Sequence, residues 1–331
     1  MKILLSWLRD FVNVPGTAEE IARTMSVRGF AVEGIDTLSD GDAVLDFEIM
    51  ANRPDCMSVV GMAREVATAY GLEVAQPAPV GLATADRSDI EVVIEDPDLC
   101  PRYAGAVADV TVGPSPGWMQ ARLQAAGVCP ISNIVDVTNY VMLELGQPMH
   151  AFDFARIGGA RIRVRRARPG EVLRTLDGQV RELTPDMLMI ADAERPVAIG
   201  GVMGGADSEV SASTKTIVFE AAYFNPLSVR RTSKRLGLKT EASIRFERGS
   251  DPNLVAPAMA RACALLELVG AGRARGTIVD RYPAPIGPRT LRLRREKIAG
   301  LTGTAIPDAD VRRILEGLGF SLSETADGWS L

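Results

Sequence analysis

Apolar positions along the chain fall into short runs with two different periods. Ile21, Ala22 and Met25 recur at helical spacing behind Thr17-Ala18-Glu19-Glu20, which has the form of a capping box, so a helix is expected to open there and stop at Gly29. Residues 2–8 read as a short strand or helical turn. Stretches 30–35 and 44–49 read as strands around a Ser39-Asp40-Gly41-Asp42 turn. Ser58 caps a helix to Tyr70 in which Val60, Ala63 and Ala67 share a side. Strands are expected at 90–94 and 103–112, then an amphipathic helix from Gly117 to Ala126 ended by Gly127. Short strands follow at 161–166, 171–173, 187–191 and 197–199, with a turn at Leu176-Asp177-Gly178-Gln179. The run 216–220 reads as an apolar strand ending in an acid, Glu220. Asn225-Pro226 opens a helix through Arg235, and Asp251-Pro252 opens a core helix over 254–269. A strand near 291–294 and helices near 297–301 and 307–318 complete the pattern. Strands and helices do not alternate as βαβ units, so the fold class is α+β: multidomain, with mixed, mostly antiparallel sheets and packed helices.

Punctuation divides the chain. A unit at 1–75 is small for independent stability and is expected to pack on another part of the protein. A polar, Pro-rich linker at 76–89 begins with Gln76-Pro77-Ala78-Pro79, a large unit spans 90–279, and DRYPAPIGP supplies a second linker at 280–288. Residues 289–331 start a third, small unit that is expected to stop short of completion.

Composition narrows the class. A length of 331 residues suits two or three domains, and 47% hydrophobic with 24% charged residues suits a soluble globular chain. No run of 18 apolar residues is present, so no membrane span is expected, and the N-terminus lacks the form of a signal peptide. Cys56, Cys100, Cys129 and Cys263 are scattered without a CxxC pair. That argues against a zinc site or disulfide framework and suits a reducing cytoplasm; with one histidine, no metal site is expected.

The net charge of −5 does not advertise a nucleic-acid binder. Basic residues nonetheless gather in three groups: Arg161, Arg163 and Arg165; Arg230, Arg231, Lys234, Arg235 and Lys239; and Arg292, Arg294, Arg295 and Lys297. Each is either a solvated face balanced by acids elsewhere or a local track for a phosphate backbone.

Candidate chemistry centres on 131–153, ISNIVDVTNYVMLELGQPMHAFD, which holds the single histidine, His150. Pro148 sets the backbone just ahead, which suits a ring projected from the end of an element into a cleft. Thr138 and Asn139 are polar groups inside the same otherwise apolar run. Gly200-Gly201-Val202-Met203-Gly204-Gly205 is not followed by a helix, so it is a poor phosphate loop; it serves either close backbone packing or ligand contact through N–H groups. RFERG at 245–249 reads by itself as a salt-bridged surface.

These stretches resemble a known family. SWLRDFV at 6–12, NRPDC at 52–56, GMAREVA at 61–67, VDVTNYVMLELGQPMHAFD at 135–153, GGVMGG at 200–205, FEAAYFNPLSVRRTSKRLGLKTEAS at 219–243 and RFERGSD at 245–251 are similar to the N-terminal part of the bacterial phenylalanyl-tRNA synthetase β subunit. The resemblance implies that 90–279 is an editing domain that hydrolyses tyrosine mischarged onto the phenylalanine tRNA. It implies a pocket with Thr138, Asn139, His150 and Glu220 as catalytic residues and Gly201, Gly204, Glu220, Thr240 and Ala242 as substrate-binding residues. Glu220 would accept a hydrogen bond from the tyrosine hydroxyl, and Thr138, Asn139 and His150 would hold the ester end. The tail would begin a small helical or winged, nucleic-acid-binding-like domain. The implied partners are the synthetase α subunit and tRNA(Phe), in a cytoplasmic heterotetrameric ligase whose aminoacylation chemistry lies in the α subunit. No cofactor is implied for this chain, while ATP and Mg2+ are implied for the whole ligase. The inserted OB-fold module of many family members is missing, since Leu38-Ser39-Asp40-Gly41 runs straight on to DFEIMANRPDC. A non-catalytic assembly and tRNA-docking piece of the same ligase is the alternative reading.

Overall fold

A computed structural model describes residues 1–75, 83–85 and 89–331. The expected linker start at Gln76-Pro77-Ala78-Pro79 lies outside the described residues. The first unit comprises β1 (Lys2–Leu4), α1 (Leu5–Arg9), α2 (Ala18–Ser26), β2 (Val32–Thr37), β3 (Ala43–Phe47) and α3 (Val59–Tyr70). Its strands form an antiparallel sheet in the order β1-β3-β2. Helix α2 starts as the sequence dictates: Thr17 accepts from Glu20 N–H, and the Glu20 side chain accepts from Thr17 N–H.

The middle of the chain runs β4 (Glu91–Ile94), β5 (Arg102–Val110), α4 (Gly117–Ala125), α5 (Asn133–Leu145), β6 (Met149–Asp153), β7 (Arg161–Arg166), β8 (Val172–Arg174), β9 (Val180–Glu182), β10 (Leu188–Ala191), β11 (Pro196–Ile199), β12 (Met203–Gly204), β13 (Thr216–Tyr223), α6 (Pro226–Leu236), α7 (Glu241–Arg248), α8 (Val255–Leu268), β14 (Gly272–Ala274) and β15 (Val279–Arg281). One sheet has the order β14-β5-β13-β6, with β15 also on β5, and a second has the order β12-β11-β10-β7-β4. All pairs are antiparallel except β4 with β7.

Strand β13 sits at the centre of this arrangement, and its period of two separates two cores. Ile217, Phe219 and Ala221 join an apolar cluster that also holds Ile134 and Val137 of α5 and Val255 and Met259 of α8. The same cluster reaches back to Ile3, Trp7 and Leu45, so the first unit shares its core with the middle of the chain. Val218 and Ala222 join the other cluster, with Ile162 of β7, Ile190 of β10 and Ile199 of β11. Glu220 lies between Val218 and Ala222, and therefore projects between the two sheets.

Residues beyond 288 form β16 (Arg292–Arg294), α9 (Arg295–Thr302), α10 (Asp308–Gly317), β17 (Ser323–Thr325) and β18 (Gly328–Ser330). The strands pair as β16-β18-β17 around buried Trp329. Arg313 Nη1 of α10 donates to Thr68 O of α3 at 3.3 Å.

Three local expectations change. The run after 216 does not end at Glu220 but continues as strand to Tyr223, because β5 pairs with it as far as Tyr223 and β6 as far as Ala221. His150 is not at the end of an element; it is the second residue of β6, held in register opposite Glu220. The RFERG stretch is no surface: it lies in α7, where Arg245 is buried and donates through Nε to Met57 O at 3.2 Å and through Nη1 to Glu241 at 2.7 Å. Adjacent charges on one turn of helix look solvated in sequence, and only the packing of the first unit against α7 covers one of them.

Candidate active site

The site is built on three adjacent strands. In register, Glu220 of β13 faces His150 of β6 on one side and Gly105 of β5 on the other. Gly105 carries no side chain, and Val92 Cγ2 and Ile90 Cγ2 stand 3.6 and 3.8 Å from where its Cβ would lie, so apolar side chains pack over that flank. Two residues along β5, Tyr103 donates its hydroxyl to Glu220 Oε2 at 2.7 Å. No other hydrogen bond among the described residues reaches the Glu220 carboxylate. Tyr103 is fully buried and Glu220 is 8% exposed. Burial raises the Glu220 carboxyl to about 7, against the opposing pull of the Tyr103 hydroxyl. The Tyr103 phenol is pushed well up by burial and by the Glu220 charge. The buried Cys100 thiol is raised by burial and by the same carboxylate.

The His150 ring packs edge-on to Phe152 at 4.6 Å between centroids. Burial pulls its pKa down to about 4, so the imidazole is neutral at pH 7. Its Nε2 is buried and meets no hydrogen-bond partner. An orphaned ring nitrogen beside a raised carboxyl is the kind of exception that marks a place built for a ligand.

The glycine loop closes over this pair. A Cβ on Gly204 would fall 2.7 Å from His150 Cε1 and 2.8 Å from Nε2, so only glycine allows the ring its place. Gly201 has φ +70°, and its open side faces Phe224, Val229 and Phe246 instead. The close-packing reading of the glycine run holds at both residues: Gly201 has a left-handed backbone packed on apolar side chains, and Gly204 lies directly against His150. No hydrogen bond from the Gly201 N–H is made among the described residues, whereas Gly205 N–H donates to Val197 O at 2.8 Å.

Thr240 is the N-cap of α7 and donates its Oγ1 to Val202 O at 3.0 Å, tying that helix to the loop. Ala242 is half-buried two residues on, against the second core. His150 and Glu220 are therefore neighbours across β6 and β13 with Gly204 against the ring, while Gly201 packs on Phe224, Val229 and Phe246 and Thr240 is bonded to the loop. Thr138 and Asn139 stand apart. They ride on α5, whose apolar residues belong to the core on the Ala151 and Phe219 side of the sheet. Thr138 Oγ1 bonds back to Val135 O at 2.7 Å, and no hydrogen bond among the described residues links Thr138 or Asn139 to His150 or Glu220.

Among the described residues one cluster, Asp55, Cys56 and Glu65, has donor spacing within 4.8 Å. Arg53 lies in it, bonding Asp55 at 3.0 and 2.8 Å, Cys56 Sγ at 3.1 Å, and Glu65. A guanidinium already supplies the positive charge there. No helix of the described residues is long and apolar enough to cross a membrane.

Residues 99–270 match the B3/4 domain family. This chain belongs to that family. A phenylalanine–tRNA ligase β subunit of Anaeromyxobacter dehalogenans is 47% identical over 298 residues, covering 88% of this chain and 37% of that protein. Another, of Rhodopirellula baltica, is 40% identical over 333 residues, covering 99% of this chain and 48% of that protein. The chain thus spans less than half the length of these curated relatives. The structure of an N-terminal fragment of the phenylalanyl-tRNA synthetase β subunit from Pyrococcus horikoshii shares the fold, with a TM-score of 0.50 at 15% identity, covering 100% of this chain and 92% of that one.

All eight site residues expected from sequence fall inside the B3/4 match. So does Tyr103, which sequence reasoning missed. Its strand looks like any apolar strand, and nothing local signals that its hydroxyl meets a carboxylate 117 residues away. Tyr103→Phe is expected to leave Glu220 Oε2 without a donor and to destabilise the protein by about 2 kcal/mol at pH 8, where the carboxylate is charged, and by about half that at pH 5. Urea unfolding at the two pH values measures this, and an equal loss at both would mean that the bond does not depend on the charge.

Proposed function

We propose that the region between the two sheets is an editing site that hydrolyses the ester of tyrosine mischarged onto tRNA(Phe). The observation that carries the reading is the buried Glu220 carboxyl with one oxygen bound by Tyr103, placed in register beside the unpartnered Nε2 of a neutral His150. Tyrosine and phenylalanine differ by one hydroxyl. A pocket that needs that hydroxyl rejects its absence by about 10⁴, because its own polar group is otherwise left unpaired. Glu220 Oε1 takes the tyrosine hydroxyl, while Tyr103 keeps Oε2 occupied and the carboxylate oriented. His150, neutral at physiological pH, offers Nε2 to the hydrolytic water or the ester. Thr138 and Asn139 enter this scheme only through a bound substrate that bridges to α5.

In this proposal the chain needs no cofactor of its own. It works beside an α subunit in a cytoplasmic ligase that supplies ATP, Mg2+ and the aminoacylation chemistry. The test is deacylation of tyrosyl-tRNA(Phe) by this chain and by Glu220→Ala, with phenylalanyl-tRNA(Phe) as control. Selective release of tyrosine that Glu220→Ala abolishes is the expected result. A folded chain that releases tyrosine no faster than buffer rules out hydrolysis by this site on its own.

A further inference from the structure

The three basic groups of the sequence have different fates in the fold. Arg161, Arg163 and Arg165 pair with Glu91, Glu95 and Glu171. Arg292 pairs with Asp327, Arg294 with Glu296, and Arg295 with Asp308 and Glu324. The group on α6 does not follow this pattern. Arg235 pairs with Asp186, but no ion pair among the described residues involves Arg230, Arg231, Lys234 or Lys239. From Asn225 to Thr240 there are five basic residues and no acid, in a chain of net charge −5.

Helix geometry puts three of these cations on one stripe. Leu227, Arg230, Arg231 and Lys234 are spaced i, i+3, i+4 and i+7, and all are exposed. The opposite stripe, Val229, Thr232 and Ser233, is buried. That buried stripe touches the site, because Val229 Cγ2 would lie 3.0 Å from a Cβ on Gly201. The bare cations therefore stand one helix diameter, about 10 Å, from the glycine loop. The chain then continues through Gly237 and Lys239 directly into Thr240, which is bonded to that loop.

We propose that the outward face of α6 docks the phosphate backbone of a tRNA at the end that carries the amino acid, holding the aminoacyl terminus over the loop. This rests on the editing reading of the site. The physical case is charge complementarity. A compact row of unneutralised cations on a globally acidic protein is attractive to a polyanion locally while the rest of the surface repels it, so the RNA is directed to this face. Leu227 at the start of the stripe is 62% exposed and offers an apolar platform to an unstacked base.

The experiment uses the whole 331-residue chain and uncharged tRNA, so that binding is read without hydrolysis. Affinity is measured from 50 to 200 mM salt for the parent, for Arg230→Gln/Arg231→Gln/Lys234→Gln, for Arg231→Gln alone, and for Arg273→Gln as a distant exposed control. Losing three phosphate contacts should lower the slope of log K against log salt by about 2, and the single variant by about 0.7. The triple variant should also bind at least ten-fold more weakly at 50 mM salt, with Arg273→Gln unchanged. Equal slopes for parent and triple variant, or a parent that does not bind tRNA at all, would overturn the proposal. Failure of the editing reading appears separately, as a parent that binds tRNA through α6 yet leaves tyrosyl-tRNA intact.

Discussion

At pH 8, Glu220→Gln is expected to be more stable than the parent by on the order of 3 kcal/mol, and to have lost its preference for tyrosine. The carboxyl titrates near 4.5 when solvated and at about 7 in the fold. A group whose folded pKa is raised favours the folded state fully below its unfolded pKa, and that contribution is lost as pH rises through the folded value. The parent should therefore lose stability between pH 4.5 and about 7, whereas glutamine has no proton to lose and keeps the Tyr103 contact through its amide oxygen. His150 works the other way. Its folded pKa of about 4 is depressed from 6.5, so its contribution is present above 6.5 and is lost as pH falls toward 4. It does so in both proteins and drops out of the comparison. Urea unfolding from pH 4 to 8 should give two curves that meet near pH 4 and separate up to about pH 7. A residue whose ionised form destabilises the fold, and whose neutral isostere stabilises it, is retained for something other than folding. Curves that stay parallel would show that Glu220 is not held charged against its surroundings.

Gly204→Ala is expected to cost less stability than Gly201→Ala and to lower tyrosyl-tRNA hydrolysis by about 10²-fold. The backbone at Gly204 is not in the left-handed region, so a side chain there meets no backbone strain and its cost comes from the His150 ring. The added Cβ would fall 2.7 Å from His150 Cε1 and 3.0 Å from Leu176 Cδ1, and the ring must move aside. Gly201→Ala makes the useful contrast. There φ is +70°, and the Cβ would meet Phe224, Val229 and Phe246, all buried and none free to yield. That change should cost about 2–4 kcal/mol, from backbone strain and overpacking together. Measuring deacylation and unfolding for both variants separates a glycine kept for the site from one kept for the fold. Full hydrolysis by Gly204→Ala would mean that the position of His150 does not matter.

Local elements could be read from the chain because their causes are local. The Thr17 capping box, the Ser58 and Asn225 caps and the left-handed Gly71 and Gly237 bound their helices within a residue or two of the expected ends. Side-chain hydrogen bonds to the first turn and a residue without Cβ act over three or four positions, so they appear in any short window of sequence. The short strand β9 was not read, since Val180–Glu182 has no apolar alternation and forms only by pairing with β8.

The candidate site was legible as a set of residues but not as an arrangement. Its motifs named His150, Glu220 and the glycines, and the family followed from them. What sequence could not provide was distance. That Glu220 lies mid-strand opposite His150, that Tyr103 holds one of its oxygens, that α5 carries Thr138 and Asn139 on the other side of the sheet, and that Arg245 is buried all depend on which strands pair and which face is covered. The same holds for charge. Three basic groups look alike in the chain, and whether each is neutralised depends on acids brought to two of them by the fold, from as far as Glu91 is from Arg161, 70 residues away, while α6 receives one partner for Arg235. Sequence by itself determined the capped helices, several of the strands and the family, because those depend on neighbours in the chain, whereas α5, β6 and α7 were not read. Tertiary structure alone decided the pKa values, the orphaned nitrogen and the bare basic face, because burial and pairing are properties of what lies nearby in space.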